Sequence, residues 1–339
     1  MDNFKETQQA AIELTKLING FQVSQIIHVA AALGIADRLR DGARPSADIA
    51  AEIGAHPRSL YRLMHALASA GVLEEHANAS FSLTDMGECL RSDSPNSRIA
   101  WARNIGLPYG WQAWGNMLHS VMTGEAAFNH LYGESVWDWR GKHLEETRIF
   151  DEAMAEISRG VSIGIADAFD FSAFKRIVDV GGGIGETLAA ILSRNHGCTG
   201  ILYDLPHVVA NALTILASHG VTDRCEVIGG DMFTAIPPGG DAYIIKNVLL
   251  DDDDERASTI LKLCRSVIEP AGRVILIEPL TTPPNQPEVS LLDMTMLVMT
   301  GGHKRTFEEY STLLAEAGFE IERAIAKPPP LTVLIAAPV

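Results

Sequence analysis

The segment Arg176-Ile-Val-Asp-Val180 reads as a buried strand that runs straight into Gly181-Gly-Gly-Ile-Gly185 and then into a helix from Glu186 to Leu192. A strand, a glycine turn and a helix in that order commit the chain to an α/β architecture. Further strand patterns follow at Gly200 to Tyr203, Cys225 to Ile228, Ala242 to Lys246 and Arg273 to Ile277, with helical patterns between them. Alternation at this spacing predicts a Rossmann-like, doubly wound, mostly parallel sheet. The closing segments Ile321 to Ala326 and Leu331 to Ala336 flank Pro328-Pro329-Pro330 and are expected to form a hairpin that adds an antiparallel strand.

Two cofactor classes use such a turn. A dinucleotide fold needs a third glycine where Glu186 stands, so G-x-G-x-x-G is not met. The pattern present, Asp179-x-Gly181-x-Gly183-x-Gly185, resembles that of S-adenosylmethionine (SAM) dependent methyltransferases. Glycines there let the backbone approach the cofactor's amino-acid moiety where a Cβ would collide. The free N–H groups of the helix N-terminus favour its carboxylate. Asp204, ending the second strand in Tyr203-Asp204-Leu205-Pro206, can accept both ribose hydroxyls. In Asp231-Met232-Phe233, after the third strand, Asp231 offers a carboxylate to the adenine amino group, and the two apolar side chains offer a wall to its ring.

The first half is mainly helical. Ile12, Leu14, Leu17 and Ile18, then Val23, Ile26, Ile27, Ala30, Ala31 and Leu33, mark two helices with wide apolar faces, the second closed by Gly34. Ser46 is expected to cap a helix through Glu52, and Pro57 to open another. Gly71-Val-Leu73 and Phe81-Ser-Leu83 suggest a hairpin before a helix capped by Thr84. Helix, turn, helix and wing is the order of a winged-helix module. As a DNA reader its recognition helix would carry only Arg58, Arg62 and His65. With 27 Lys and Arg against 43 Asp and Glu, the net charge of −16 argues against nucleic acid and against acidic membranes. The apolar first helices point instead to a second copy of the chain. All five tryptophans fall between 98 and 169, a helical stretch rich in aromatic walls for a planar organic substrate. The expected division is therefore 1–97 dimerisation, 98–169 connector, 170–339 catalytic. The four cysteines are scattered without a CxxC pair, so no metal site is expected; with no signal or spanning segment in the pattern, the expectation is a cytoplasmic protein.

Across almost its whole length the chain resembles the plant caffeate-type and bacterial polyketide-type O-methyltransferases. The matching pieces are Phe150 to Ser158, Asp179 to Gly185, Tyr203 to Pro206, Gly230 to Phe233, Lys246, and Arg305-Thr-Phe-Glu-Glu309 leading to Ala317-Gly-Phe319. The resemblance implies a winged-helix homodimer with a SAM-binding C-terminal domain. It also implies that Ser158 helps hold the methionine carboxylate, that Lys246 lies beside the cofactor, and that Met154 packs on the substrate, with Trp137 and Leu250 as further lining. Thr306 and Glu309 are independently a capping box.

The match fails at one device. Relatives that deprotonate a phenol read Lys-x-x-x-His-Asp after the fourth strand, whereas this chain reads Lys246-Asn-Val-Leu-Leu250-Asp251. Lys304 stands where the family often places a glutamate that braces that histidine. A base contributes ~10²–10⁴-fold, and alignment of a hydroxyl with an electrophilic methyl group supplies much of the rest. Candidate substitutes are Asp251, at the head of the acidic run 251–255, His303 beside Lys304, and His130. The acidic run also reads as the charged first turn of a helix. The reading is a SAM-dependent O-methyltransferase acting on a hydroxyl of an aromatic or polyketide-like secondary metabolite. Its rivals are a SAM-binding relative turned to hydroxylation, decarboxylation or pericyclic chemistry, motivated by Leu250, and a winged-helix regulator.

Overall fold

The computed structural model describes residues 2–281, 287–326 and 330–339; Pro328 and Pro329 of the expected hairpin turn lie outside them. The chain divides into two compact units, Met1–Pro108 and Tyr109–Val339, where the sequence suggested three parts. The helix Leu144–Ala168 packs along the helix Glu186–Arg194 and so belongs to the second unit.

In the first unit the helices Asp2–Ile18 and Gly20–Ala32 precede a small sheet of β1 (Arg44–Pro45), β2 (Leu73–His76) and β3 (Ser80–Leu83), in the order β1-β3-β2. Between β1 and β2 lie the helices Ser46–Ile53 and Pro57–Ser69. The expected order of helix, turn, helix and hairpin is met, and Thr84 does cap the next helix, accepting from Gly87 N at 3.2 Å. Ser46 does not act as a cap: it is buried inside the first turn, after Pro45. The apolar stripe Leu60, Met64 and Leu67 of the second of these helices is buried with Ile49, Phe81 and Ile35 in one core.

The second unit is built on seven strands: β4 (Arg176–Val180), β5 (Thr199–Asp204), β6 (Cys225–Gly229), β7 (Ala242–Lys246), β8 (Arg273–Pro279), β9 (Phe319–Ile325) and β10 (Leu331–Pro338). Their order is β6-β5-β4-β7-β8-β10-β9, parallel from β6 to β8, with β10 antiparallel to both β8 and β9. Successive side chains go to opposite faces, and the two cores divide accordingly. Val178, Val180, Tyr243, Ile245, Val274 and Leu276 enter one, while Ile177, Ala242, Ile244, Ile275 and Ile277 enter the other. Strands covered on both faces read as continuous apolar runs, which is why they were visible in the sequence. After β4 the chain crosses to β5 on one side, while β7 pairs with β4 on the other. The carboxyl ends of these strands border the crevice where open α/β sheets bind ligands.

Candidate functional site

Asp179 is the one charged residue of β4 between Val178 and Val180, and alternation sends it to the apolar face of Ile177. It is 1% exposed, and its Oδ2 has no hydrogen-bond partner among the described residues. Burial pushes its carboxyl up to about 7, against the pull of Lys246. The turn that follows has three glycines in the left-handed region, Gly181, Gly183 and Gly185. A Cβ on Gly181 would stand 2.7 Å from a methyl group of Val248, so this glycine is required by the neighbouring loop. A Cβ on Gly183 would meet nothing, so the turn leaves open space there.

Asp204 closes β5 and ties this turn down. Its Oδ2 accepts from Gly183 N and its Oδ1 from Leu205 N, both at 2.7 Å. Burial still raises its carboxyl above the usual range. Two of about four lone-pair positions on the carboxylate are thereby used, which leaves acceptors for hydroxyl donors. At the end of β7, Lys246 donates to Ser158 Oγ at 3.2 Å, joining the helix Leu144–Ala168 to the sheet edge. Burial lowers the lysine, opposed by Asp179 and Glu278.

Asp231, Met232 and Phe233 follow β6. The Asp231 carboxylate is exposed and caps its own turn, accepting from Phe233 N at 2.9 Å and Thr234 Oγ1 at 3.0 Å. Met232 and Phe233 are partly buried, and the Arg256 guanidinium lies 3.7 Å from the Phe233 ring centroid, covering one face. Asp179, Gly183, Asp204, Lys246 and Ser158 therefore converge at one edge of the sheet. The open space at Gly183, the unpartnered buried carboxylate oxygen and the remaining acceptors of Asp204 fit an amino-acid-bearing nucleoside.

The loop after β7 carries the missing histidine position. Leu250 is 3% exposed within the short 3₁₀ turn Leu249–Asp251. Asp251 is partly buried, and desolvation with Asp252 beside it holds its carboxyl well above the ordinary range. The rest of the acidic run is structural: Asp253 caps the helix Asp254–Val267 through Arg256 N, and Asp254 and Glu255 lie in its first turn. His303 lies 3.7 Å from Asp254 and is 43% exposed. His130 is exposed and stacks on His119, ring centroids 3.8 Å apart. Lys304 donates to the carbonyl of Leu280 at 3.0 Å.

Two residues to which the sequence assigned no role, Glu278 and Arg305, hold this loop. Glu278, on β8 and fully buried, accepts from Val248 N and Leu249 N at 3.0 Å each, and burial pushes its carboxyl up to about 7. Arg305 is also fully buried and donates to the carbonyls of Leu249 and Asp252 and to Asp254. A glutamate ending the apolar run Arg-Val-Ile-Leu-Ile-Glu-Pro279 was the available signal. Met154 and Trp137 are partly buried; Met154 lies on the helix that carries Ser158, and Trp137 packs edge-on against Phe150.

A model of the O-methyltransferase domain matches residues 114–320, and one of the O-methyltransferase dimerisation domain matches 15–93. The chain is similar to the phenazine O-methyltransferase PhzM of Lysobacter antibioticus, 38% identical over 327 residues that make up 96% of each chain. The crystal structure of LaPhzM superposes with a TM-score of 0.94 at 38% identity, covering 97% of this chain and 99% of that one. The O-methyltransferase NcsB1 from neocarzinostatin biosynthesis, solved with SAM and 2-hydroxy-5-methyl naphthoic acid, gives a TM-score of 0.81 at 30% identity over 94% and 96% of the two chains. With its family models, its relatives and its glycine turn in agreement, this chain belongs to the O-methyltransferase family and is an enzyme that uses SAM.

Proposed function

We propose that the enzyme methylates a hydroxyl group on a planar aromatic or polyketide-like secondary metabolite. The observation that carries this is the convergence of Asp179, Gly183, Asp204, Lys246 and Ser158 at one sheet edge, beside the aromatic stretch that holds Trp137 and Phe150. Relatives named for a phenazine and solved with a naphthoic acid support the planar acceptor.

Asp204 takes the ribose hydroxyls, with Leu205 beside it. Gly181 and Gly183 shape the turn for the amino-acid moiety, whose carboxylate meets Ser158 and Lys246. Asp179 sits under the turn; Asp231 takes the adenine amino group, with Met232 and Phe233 against the ring. Bound there, SAM supplies an electrophilic methyl group. Met154, Trp137 and Leu250 line the acceptor's place. The buried Leu250 removes the expected base but adds an apolar wall that excludes water, which favours transfer to an aligned hydroxyl.

The working form is a homodimer in the cytoplasm, through a winged-helix module within residues 1–97 and with 98–169 as the substrate-lining connector to a catalytic domain at 170–339. The dimerisation model and the exposed Ile12, Leu14, Leu17, Ile18 and Phe21 support the dimer. The four free cysteines and the absence, among the described residues, of a helix long and apolar enough to cross a membrane agree with the location.

The test is incubation of the purified enzyme with SAM and a panel of phenols and hydroxylated polyketides, following both products by mass spectrometry. Methylated acceptor together with S-adenosylhomocysteine is the expected outcome. Tight SAM binding without methylation across the whole panel would turn the reading toward non-methylating chemistry.

A further inference from the structure

Arg140 is a buried cation that the reading above does not use. It lies in the helix Val136–Lys142 and is 6% exposed. Its guanidinium carbon stands 3.4 Å from the ring centroid of Phe150, 5.0 Å from that of Trp137 and 5.7 Å from that of Tyr109. Such a box suits a cation, yet the donors are poorly used. Nη2 donates to the Tyr109 hydroxyl at 3.3 Å, and Nε is buried without a partner. No carboxylate pairs with Arg140 among the described residues, although Asp151 and Asp251 both lie close enough to feel its charge.

Asp151 mirrors this condition. It too is 6% exposed, and its Oδ2 is buried without a partner. It sits on the helix Leu144–Ala168 seven positions before Ser158 and three before Met154, so the three share one face. Ser158 is the residue that Lys246 touches, about 10 Å further along the axis. Asp151 also feels the charge of Asp204. It thus shares the helix that carries Ser158 and is next in sequence to Phe150 of the aromatic box. Asp151 follows Phe150, whose ring the guanidinium covers, yet the two charged groups share no hydrogen bond, and each has a buried polar atom without the partner that would offset its desolvation. A third polar group placed between them would satisfy both.

Building on the O-methylation reading, we propose that Asp151 and Arg140 activate the acceptor. Oδ2 of Asp151 takes the proton of an aromatic hydroxyl, and Arg140 holds the oxygen left behind. The O–H bond breaks, its proton moves to the carboxylate, and its electron pair stays on the acceptor oxygen against the guanidinium N–H groups. Tyr109, Trp137 and Phe150 keep the region dry, which strengthens that contact. The pair supplies what Leu250 lacks. Burial, with Asp204 nearby, pushes the Asp151 carboxyl up to about 7, where a base works well at neutral pH. Asp251 lies in the turn after β7, His303 faces Asp254, and His130 is exposed and stacked on His119.

The test uses the enzyme saturated with S-adenosylhomocysteine and 2-naphthol as probe, with ionisation read by near-ultraviolet absorbance and proton release by calorimetry in buffers of different ionisation enthalpy. At about pH 8, below the ordinary phenol range near ~10, the bound probe is expected to show the naphtholate spectrum, an apparent shift of about two pH units. Arg140→Met should abolish that spectrum, and Arg140→Lys should restore part of it. Asp151→Asn, nearly isosteric, should release about one more proton per probe bound, because the internal acceptor is gone. A neutral naphthol spectrum on the wild-type enzyme, no binding of the probe, or variants indistinguishable from wild type would overturn the proposal. Methyl transfer across the acceptor panel is read separately, so loss of this pair leaves the O-methylation reading standing or falling on its own products.

Discussion

Arg305 donates from Nη1 to the carbonyl of Leu249 at 2.5 Å, across 56 positions of sequence. Its other nitrogens reach Asp252 O and the Asp254 carboxylate, each at 2.8 Å, so one buried side chain grips three points of the loop that carries Leu250 and Asp251. Arg305→Met would leave two carbonyls without their donor at a cost of about 1–3 kcal/mol each. The expected outcome is a urea midpoint well below wild type with little change in slope. Arg305→Lys should recover only part, because an ammonium cannot reproduce the fork. Wild-type stability in Arg305→Met would remove the loop-holding role.

The two glycines of the turn make opposite predictions. Gly181→Ala combines a positive φ of 68° with a Cβ 2.7 Å from Val248. It should destabilise the fold by about 2–4 kcal/mol. Gly183→Ala carries the backbone strain alone, about 1–2 kcal/mol, because its Cβ would meet open space. Its main effect should be on SAM affinity, a drop of about tenfold or more as the methyl group enters the ligand's place. Thermal unfolding and titration calorimetry of both variants separate the effects; equal behaviour would show that the open space is not where the cofactor lies.

Asp204→Ala should weaken SAM binding by about 100-fold or more while the sheet persists, since the lost contacts are the Gly183 and Leu205 backbone donors and the proposed ribose hydroxyls. Unchanged affinity by calorimetry would refute the ribose assignment.

Asp179, Glu278 and Asp151 are each pushed up to about 7, burial being the first cause in all three. Their unfolded values are near ~4. The folded state therefore binds these protons more tightly. Their contribution to stability is present below about pH 4 and is lost as the pH rises toward about 7. The ligand-free enzyme should accordingly have a higher urea midpoint near about pH 5.5 than near about pH 7.5, and Asp179→Asn should reduce that difference. A midpoint that climbs over this interval and ignores the substitution would contradict the sign.

Much of this was readable in one dimension because local chemistry encodes it. Asp179 to Gly185, Asp204 after its strand and the capping box of Thr306 with Glu309 each complete their meaning within a few residues. The acidic run divided as its sequence allowed, Asp253 to Glu255 serving the helix and Asp251 staying in the turn before it. What stayed hidden depends on residues far apart. Arg140 and Asp151 belong to different helices and take their character from burial, Arg140 over the Phe150 ring and Asp151 within reach of the Asp204 charge. Glu278 and Arg305 meet the same loop from β8 and from the segment before the helix Phe307–Glu316. No periodicity announces such partners; of the four, Glu278 alone leaves a trace, as a charge closing an apolar run.

Strand β10 lies between β8 and β9, yet it is made after both. It carries Val333 and Ile335 into one core and Leu334 and Ala336 into the other. On the ribosome, neither face of the sheet can close while this segment is still in the exit tunnel, and β8 must wait with an open edge. The nascent enzyme should therefore lean on chaperones until β10 has emerged, well after the glycine turn is out.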